Sequence, residues 1–296
     1  MRKLFVKITA ACLLAAIALY AGALQARQPI AAAPASVTQP LQQQVRHWVD
    51  ELAEQPHFTE WKRASLHISP IGPGTHSWLV LVKHNNDTIG YLVVNAIEQG
   101  GYQLGEYGTG NHPIFDQQTL SRSIKQLELM QPAEQIEALY VHPLLAAWKV
   151  TVKQEIFYTD AASGELLPVQ PADWLAQASV SLNHPDKEQA PATANLLKHV
   201  TLSSFDRFAK LPWLTKEPLH VNTSSYSSLF KSLNNKEQLR YAAELFDGQM
   251  LYVWSVVGYN KWDNDHLYLA LEEGLDGTER RYIPLQLLLE LGHFYR

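Results

Sequence analysis

The chain has 296 residues, with 24 lysines and arginines against 29 aspartates and glutamates, a net charge of −5, and one cysteine. That balance, with no Lys/Arg run, argues against a nucleic-acid partner. Cys12 lies in the leading apolar segment, so the rest of the chain has no disulfide, no paired-cysteine metal site and no thiol nucleophile.

Arg2, Lys3 and Lys7 precede an apolar run over residues 8–24, with Ala21, Gly22, Ala23 and Ala26 as small residues near its end. This is the pattern of an export signal. Its 17 residues suit a long signal core and also reach the lower limit for crossing a roughly 30 Å hydrocarbon layer. Residues 1–27 are therefore read as a signal peptide or a membrane anchor, and the preceding positive charge places the bulk of the chain outside. An acylated cysteine should end such a run, whereas Cys12 sits within it. The expected location is extracytoplasmic, anchored in the cell membrane or secreted.

Residues 28–40, rich in Ala and Pro, read as a stalk. An α+β domain follows over 41–180, a polar linker over 181–195 and a second, small α/β domain over 196–296. Leu41, Val45, Trp48, Val49 and Leu52 recur at helical spacing. Residues 78–82 and 90–94 are β-branched runs joined by a turn containing Asn85, Asn86 and Asp87, and 102–107 supplies a third strand. Leu120, Ile124 and Leu127 again have helical spacing. Residues 78–107 and 148–168 share a Trp-led, strand-turn-strand pattern, which suggests two related strand-helix units in one sheet.

From Trp148 to Pro168, Val150, Val152, Ile156 and Tyr158 are spaced for one pleated strand, and 160–164 (DAASG) for the turn that closes a hairpin. A Trp-x-Val strand with a Tyr-x-Asp-Ala-x-x-Gly-Glu turn resembles the end of PepSY-type domains, small α+β modules of extracytoplasmic bacterial proteins. The resemblance extends over about residues 76–168. It implies an antiparallel sheet with helices and a role in regulating or inhibiting peptidases.

In the C-terminal part, Leu229, Phe230 and Leu233, then Leu239, Ala242, Leu245 and Phe246, suit two short helices, the first capped by Thr223 or Ser224. Residues 249–258 (QMLYVWSVVG) form an apolar run suited to a central strand buried on both faces. Residues 266–271 and 281–283 are further strands, and Pro284 opens a Leu-rich final helix. The apolar strand ending at Gly258-Tyr259, then Leu267-Tyr268-Leu269 and an Ile-Pro-Leu helix start, resembles the C-terminal half of double-glycine-leader cysteine peptidases. Tyr252 stands where that family has its catalytic His. With no upstream cysteine in the exported part, the resemblance implies a degenerate scaffold without the dyad.

Asp263, Asp265 and His266, with Glu272, Glu273 and Asp276 nearby, form the densest group of metal-ligand types. The EF-hand spacing fails at Tyr268 and Gly274, where Gly and an acidic residue are required. A solvated turn is the plainer reading. Serines 224, 225, 227 and 228 lack a nucleophile elbow. These readings favour a non-catalytic binding or regulatory protein, without a cofactor, that meets a peptide, a peptidase or another protein partner at the envelope. Two alternatives stand beside it. One is a structural component of an envelope complex, and the other a metal- or carboxylate-dependent hydrolase of peptides or envelope polymers centred on Asp263, Asp265 and His266.

Overall fold

A computed structural model of the chain describes residues 37–72, 76–97, 100–127, 132–182, 190–191, 194–222, 224–263 and 266–296. The segment read as an export signal or anchor, the first part of the expected stalk, most of the expected linker, Thr223 and Asp265 lie outside the described residues. Thr38 caps helix α1 (Gln39–Leu52), its hydroxyl accepting from the Leu41 N–H at 3.3 Å. The five apolar residues at helical spacing are all buried. A 3-10 helix, Pro56–Arg63, adds Phe58 and Trp61 to the same core. Four antiparallel strands follow, β1 (Ser65–Ile71), β2 (Ser77–His84), β3 (Asp87–Ala96) and β4 (Tyr102–Thr109), neighbours in space as in sequence. The β2–β3 turn places Asn85 and Asn86 at φ of 49° and 73°, left-handed values that asparagine accepts more readily than most residues.

The order of a helix and then a four-stranded meander recurs. Helix α2 (Gln117–Gln126), capped by Asp116 at 2.9 Å from the Thr119 N–H, precedes β5 (Gln135–His142), β6 (Leu145–Val152), β7 (Glu155–Asp160) and β8 (Leu166–Leu167), which form a separate sheet. Next come α3 (Pro171–Leu182), β9 (Ala190–Pro191), β10 (Leu196–Thr201) and the one-turn α4 (Pro212–Thr215). Helix α5 (Ser227–Asn234) then precedes the third meander: β11 (Leu239–Leu245), β12 (Met250–Trp262), β13 (Leu267–Glu272) and β14 (Arg280–Pro284). Helix α6 (Leu285–Leu291) and β15 (Gly292–Tyr295) complete the chain.

The first and third meanders meet through their fourth strands, with Tyr107 opposite Tyr282 and Gly108 opposite Arg281. The large sheet therefore runs β1-β2-β3-β4-β14-β13-β12-β11-β15, with β10 beside β12 and β9 beside β4. It draws strands from both sides of the 181–195 segment. Tyr107 and Tyr282 stack at this seam, with ring centroids 4.7 Å apart and planes 8° from parallel. Residues Pro34–Arg296 form one compact unit.

Each face of the sheet has its own cover. On one, α1 and the 3-10 helix pack on Trp78, Val80, Leu92 and Leu104, and on Trp262, Tyr268 and Tyr282 of the third meander. On the other, Leu79, Tyr91 and Val93 meet Tyr140, Trp148 and Val150 of the small sheet. Leu145, Ala147, Tyr158 and Leu167 of that small sheet, with Trp174 of α3, then meet Leu229, Leu233, Trp254, Val256, Leu269 and Ile283. Residues 147 and 148 point to opposite faces, as the period of two requires, so β6 is buried on both sides. Gly90 makes room for the 3-10 helix, since a Cβ there would lie 2.3 Å from the Trp61 ring and 2.6 Å from the Gly108 carbonyl oxygen.

The α+β, mostly antiparallel architecture agrees with the sequence reading, but several elements differ. Residues 239–245 are strand β11 rather than a helix, because a strand buried on both faces loses its alternation and Ala242 and Ala243 raise helical propensity. Residues 148–168 make two hairpins, not one. Lys153, at φ 55°, breaks the expected continuous strand between β6 and β7, and the 161–164 turn joins β7 to β8. The two Trp-led units lie in different sheets rather than one. Helix α5 is entered at Tyr226, φ 49°, with no side-chain cap, while Ser224 N–H is held by Asn222 Oδ1 at 2.8 Å. The expected final helix is followed by β15.

Candidate functional site

The acidic stretch of the third meander is divided among separate tasks. Asp263 accepts from Asn195 Nδ2 at 3.2 Å, and its own N–H donates to the Asn195 carbonyl at 2.9 Å, fastening β12 to the start of β10. His266 offers its carbonyl to the Trp262 N–H at 2.8 Å. Asp265 lies outside the described residues. Glu272 is fully buried and takes Arg280 Nε at 2.9 Å; Glu273 takes Trp254 Nε1 at 2.7 Å and Arg207 at 3.2 Å; Asp276 takes the Thr278 N–H at 3.2 Å. Among the described residues no three His, Cys, Asp or Glu side chains gather as a metal site.

A larger buried polar group sits where the small sheet meets the large one. Glu106, at the centre of β4, is wholly buried. Its Oε2 accepts from the Tyr91 hydroxyl at 2.9 Å and from Arg281 Nη2 at 2.8 Å, and its Oε1 from the Tyr140 hydroxyl at 3.2 Å. The same Arg281 nitrogen donates to the Pro143 carbonyl at 2.8 Å, and the guanidinium lies 5.8 Å from the Trp254 ring centroid. Nearby, Asp160 Oδ2 accepts from the Tyr252 hydroxyl at 2.9 Å, while its Oδ1 accepts the N–H groups of Ala162 and Ser163 at 2.9 and 2.8 Å. Thus Tyr252 of the large sheet is a hydrogen-bond donor to Asp160 at the end of β7 in the small sheet.

Burial shapes the ionisation of this group. It pushes the Tyr91 and Tyr252 hydroxyls well up, helped by the charges of Glu106 and Asp160 respectively, so both remain donors. Burial works against the Arg281 charge, but Glu106 beside it outweighs that and keeps the guanidinium protonated. His142, in the strand that supplies Tyr140, is pulled down to about 3 by burial alone. Its Nδ1 accepts from the Leu144 N–H at 3.1 Å, and its Nε2 has no partner among the described residues. These residues join two sheets; they do not form a solvent-facing acid–base pair. Sequence reasoning did not find Glu106 or Arg281, since 175 residues separate them.

Two accessible features among the described residues are a sheet edge and a pocket. Strand β1 ends the large sheet: it pairs with β2 from Ser65↔Lys83 to Ile71↔Ser77, and no described strand pairs with its other side. The 3-10 helix delivers the chain into it through Ala64, already extended at ψ 145°, and Gly72, at φ 72°, ends it. Leu66 and Ile68 lie half-buried on the α1 face, Ser65 and His67 are exposed, and Pro70 removes one donor near the end. Residues 65–69 thus form a short edge with an apolar and a polar face. The pocket, about 470 Å³, is lined by Lys216, Glu217, Leu219, His220, Ser228 and Arg296, among others. No known protein family and no curated protein matches the chain.

Proposed function

We propose that the protein is an exported binding or regulatory protein of the bacterial envelope, membrane-anchored or secreted, which holds an extended segment of a peptide, peptidase or other protein partner along β1. The observation that carries this reading is the edge at residues 65–69, where β1 ends the large sheet and no described strand pairs with its outer side. An incoming strand finds backbone donors and acceptors already in register for strand addition. Its alternate side chains would lie beside Leu66 and Ile68 on one face and beside His67 and Ser69 on the other, which favours a segment alternating apolar and polar residues. The PepSY-type resemblance over 76–168 and the degenerate peptidase-like scaffold over 196–296 belong to the same proposal and supply the partner class, a peptidase or its peptide.

The test uses two adjacent variants, His67→Pro and Ile68→Pro. Along an antiparallel edge strand, backbone N–H groups point alternately to the neighbour and outward. One variant therefore removes an outward donor and leaves the β1–β2 ladder intact, and it is recognised by an unchanged melting temperature. A partner captured from envelope extract by the wild type and lost with that variant supports the edge. Undiminished capture sinks it.

A further inference from the structure

Arg280 opens β14 at the seam and is 4% exposed, so its donors need acceptors inside the fold. Its Nε donates to Glu272 Oε1 at 2.9 Å and its Nη2 to the Leu202 carbonyl at 3.3 Å. Its Nη1 donates to His57 Nε2 at 3.3 Å. A guanidinium has no acceptor to offer, so this bond exists only with His57 neutral and its proton on Nδ1. His57 itself is exposed, within reach of solvent protons. It stands on the first turn of the 3-10 helix, one residue before Phe58, whose ring centroid lies 5.4 Å from that of Tyr282 and 4.8 Å from that of Trp61. Trp61 lies against Gly90, and its carbonyl accepts at 3.1 Å from the N–H of Ala64, the last residue before β1.

We propose that His57 is a proton-sensitive latch for the β1 edge. Neutral, it ties the 3-10 helix to β14 and fixes the path into β1; protonated, it releases that helix and with it a segment docked on β1. The second step rests on the strand addition proposed above. Proton uptake at Nε2 removes an acceptor, strands a buried Nη1 donor and sets an imidazolium against a guanidinium. The surroundings of the ring act in the same direction. Burial lowers its pKa from 6.5, Arg280 and His199 of β10 lower it further, and Glu272, already engaged by Arg280, opposes them. Tyr282, whose hydroxyl burial pushes up to about 12, stays neutral beside Arg280. The charges on the packed elements are engaged elsewhere: on α1, Glu51 accepts the Leu196 N–H at 3.0 Å, while Arg46 and His47 bond the carbonyls of Ala64 and Ala194. Glu54 pairs with Lys62 at 2.9 Å, and Asp50, Glu60 and Arg63 are exposed. Lys83 and His84 lie where β2 meets Ser65, at the other end of the helix from His57. Once the helix is released, His57 regains its ordinary pKa and binds the proton more tightly. The latch is therefore closed above pH 6.5 and opens progressively below it.

The test compares the wild type with His57→Gln, whose amide oxygen accepts from Arg280 Nη1 at any pH but takes up no proton. Amide hydrogen exchange of both proteins is measured without a partner between pH 7.5 and 5. The ratio of wild-type to variant rates cancels the intrinsic pH dependence of exchange, and with it the titration of His142 and the carboxylates. At Phe58, at Ala64 and along the β1–β2 ladder, that ratio is expected to start level at pH 7.5 and to rise severalfold by pH 5. A ratio that stays level overturns the latch. So does one that rises equally along β11–β12, because His57 then contributes to global stability alone. Capture from envelope extract is then compared at pH 7.5 and 5, and the wild type is expected to lose its partner in acid while His57→Gln keeps it. Loss from both proteins, or from neither, overturns the control of the β1 edge by the latch. If no partner is captured at either pH, the docking reading fails, and the exchange ratio by itself still decides the latch.

Discussion

His142 gives a quantitative test of the junction between the two sheets. Its side chain is buried, with Nδ1 accepting from the Leu144 N–H, and its pKa falls from 6.5 to about 3 because burial disfavours the imidazolium. In the unfolded chain the residue titrates normally. Above pH 6.5 both states are neutral and the full stability is present; as pH falls below 6.5 the unfolded chain takes up the proton first, and stability is lost progressively down to about pH 3. At pH 5 the difference is about 1.5 pH units, or about 2 kcal/mol at 1.36 kcal/mol per unit. His142→Asn supplies an oxygen at the position of Nδ1, so the bond from Leu144 is retained, but it cannot ionise. Denaturant unfolding of both proteins between pH 7.5 and 5 should show the wild type losing about 2 kcal/mol more than the variant. The carboxylates titrate equally in both and cancel. Parallel stability curves would refute the buried, neutral histidine and the packing of β5 that creates it.

The Glu106–Arg281 pair should behave as a buried ion pair, with Glu106→Gln or Arg281→Met each costing about 3–5 kcal/mol because the remaining charge is stranded. The double variant should cost less than the sum, as a double-mutant cycle by chemical denaturation would show. Tyr252→Phe removes one donor from Asp160 and should cost about 1–3 kcal/mol, read as a lower melting temperature. Gly90→Ala forces a Cβ against Trp61 and the Gly108 carbonyl. It should destabilise by about 1–3 kcal/mol and change Trp61 fluorescence, whereas an unaltered protein would show that the 3-10 helix does not lie on β3.

The parts of the fold legible in the sequence were those whose signal is local. Helix α1 shows its apolar face at 3.6-residue spacing, and all five expected residues are buried. The β2–β3 hairpin is marked by Asn85-Asn86, and β12 by its apolar run after Gly248, although the strand continues through Gly258, where its pairing with β13 shifts register, to Trp262. Strand β11 was misread because burial on both faces removes the alternation by which a strand is recognised. Strand β1 escaped notice because Pro70 and its serines give it neither a hydrophobic run nor a clean alternation. The seam between β4 and β14 rests on two residue pairs separated by more than 170 positions, a pairing that no local pattern encodes. That β1 ends the sheet is equally hidden, since which strand lies at an edge is decided by long-range pairing.

Amide hydrogen exchange on the protein with its captured partner bound tests the account most directly. Edge amides facing solvent exchange rapidly and are slowed when a strand is added. Binding along β1 predicts new protection at alternate residues within 65–69, with the β11–β12 ladder unchanged. Protection that appears elsewhere, while residues 65–69 exchange as in the free protein, would contradict the proposed function.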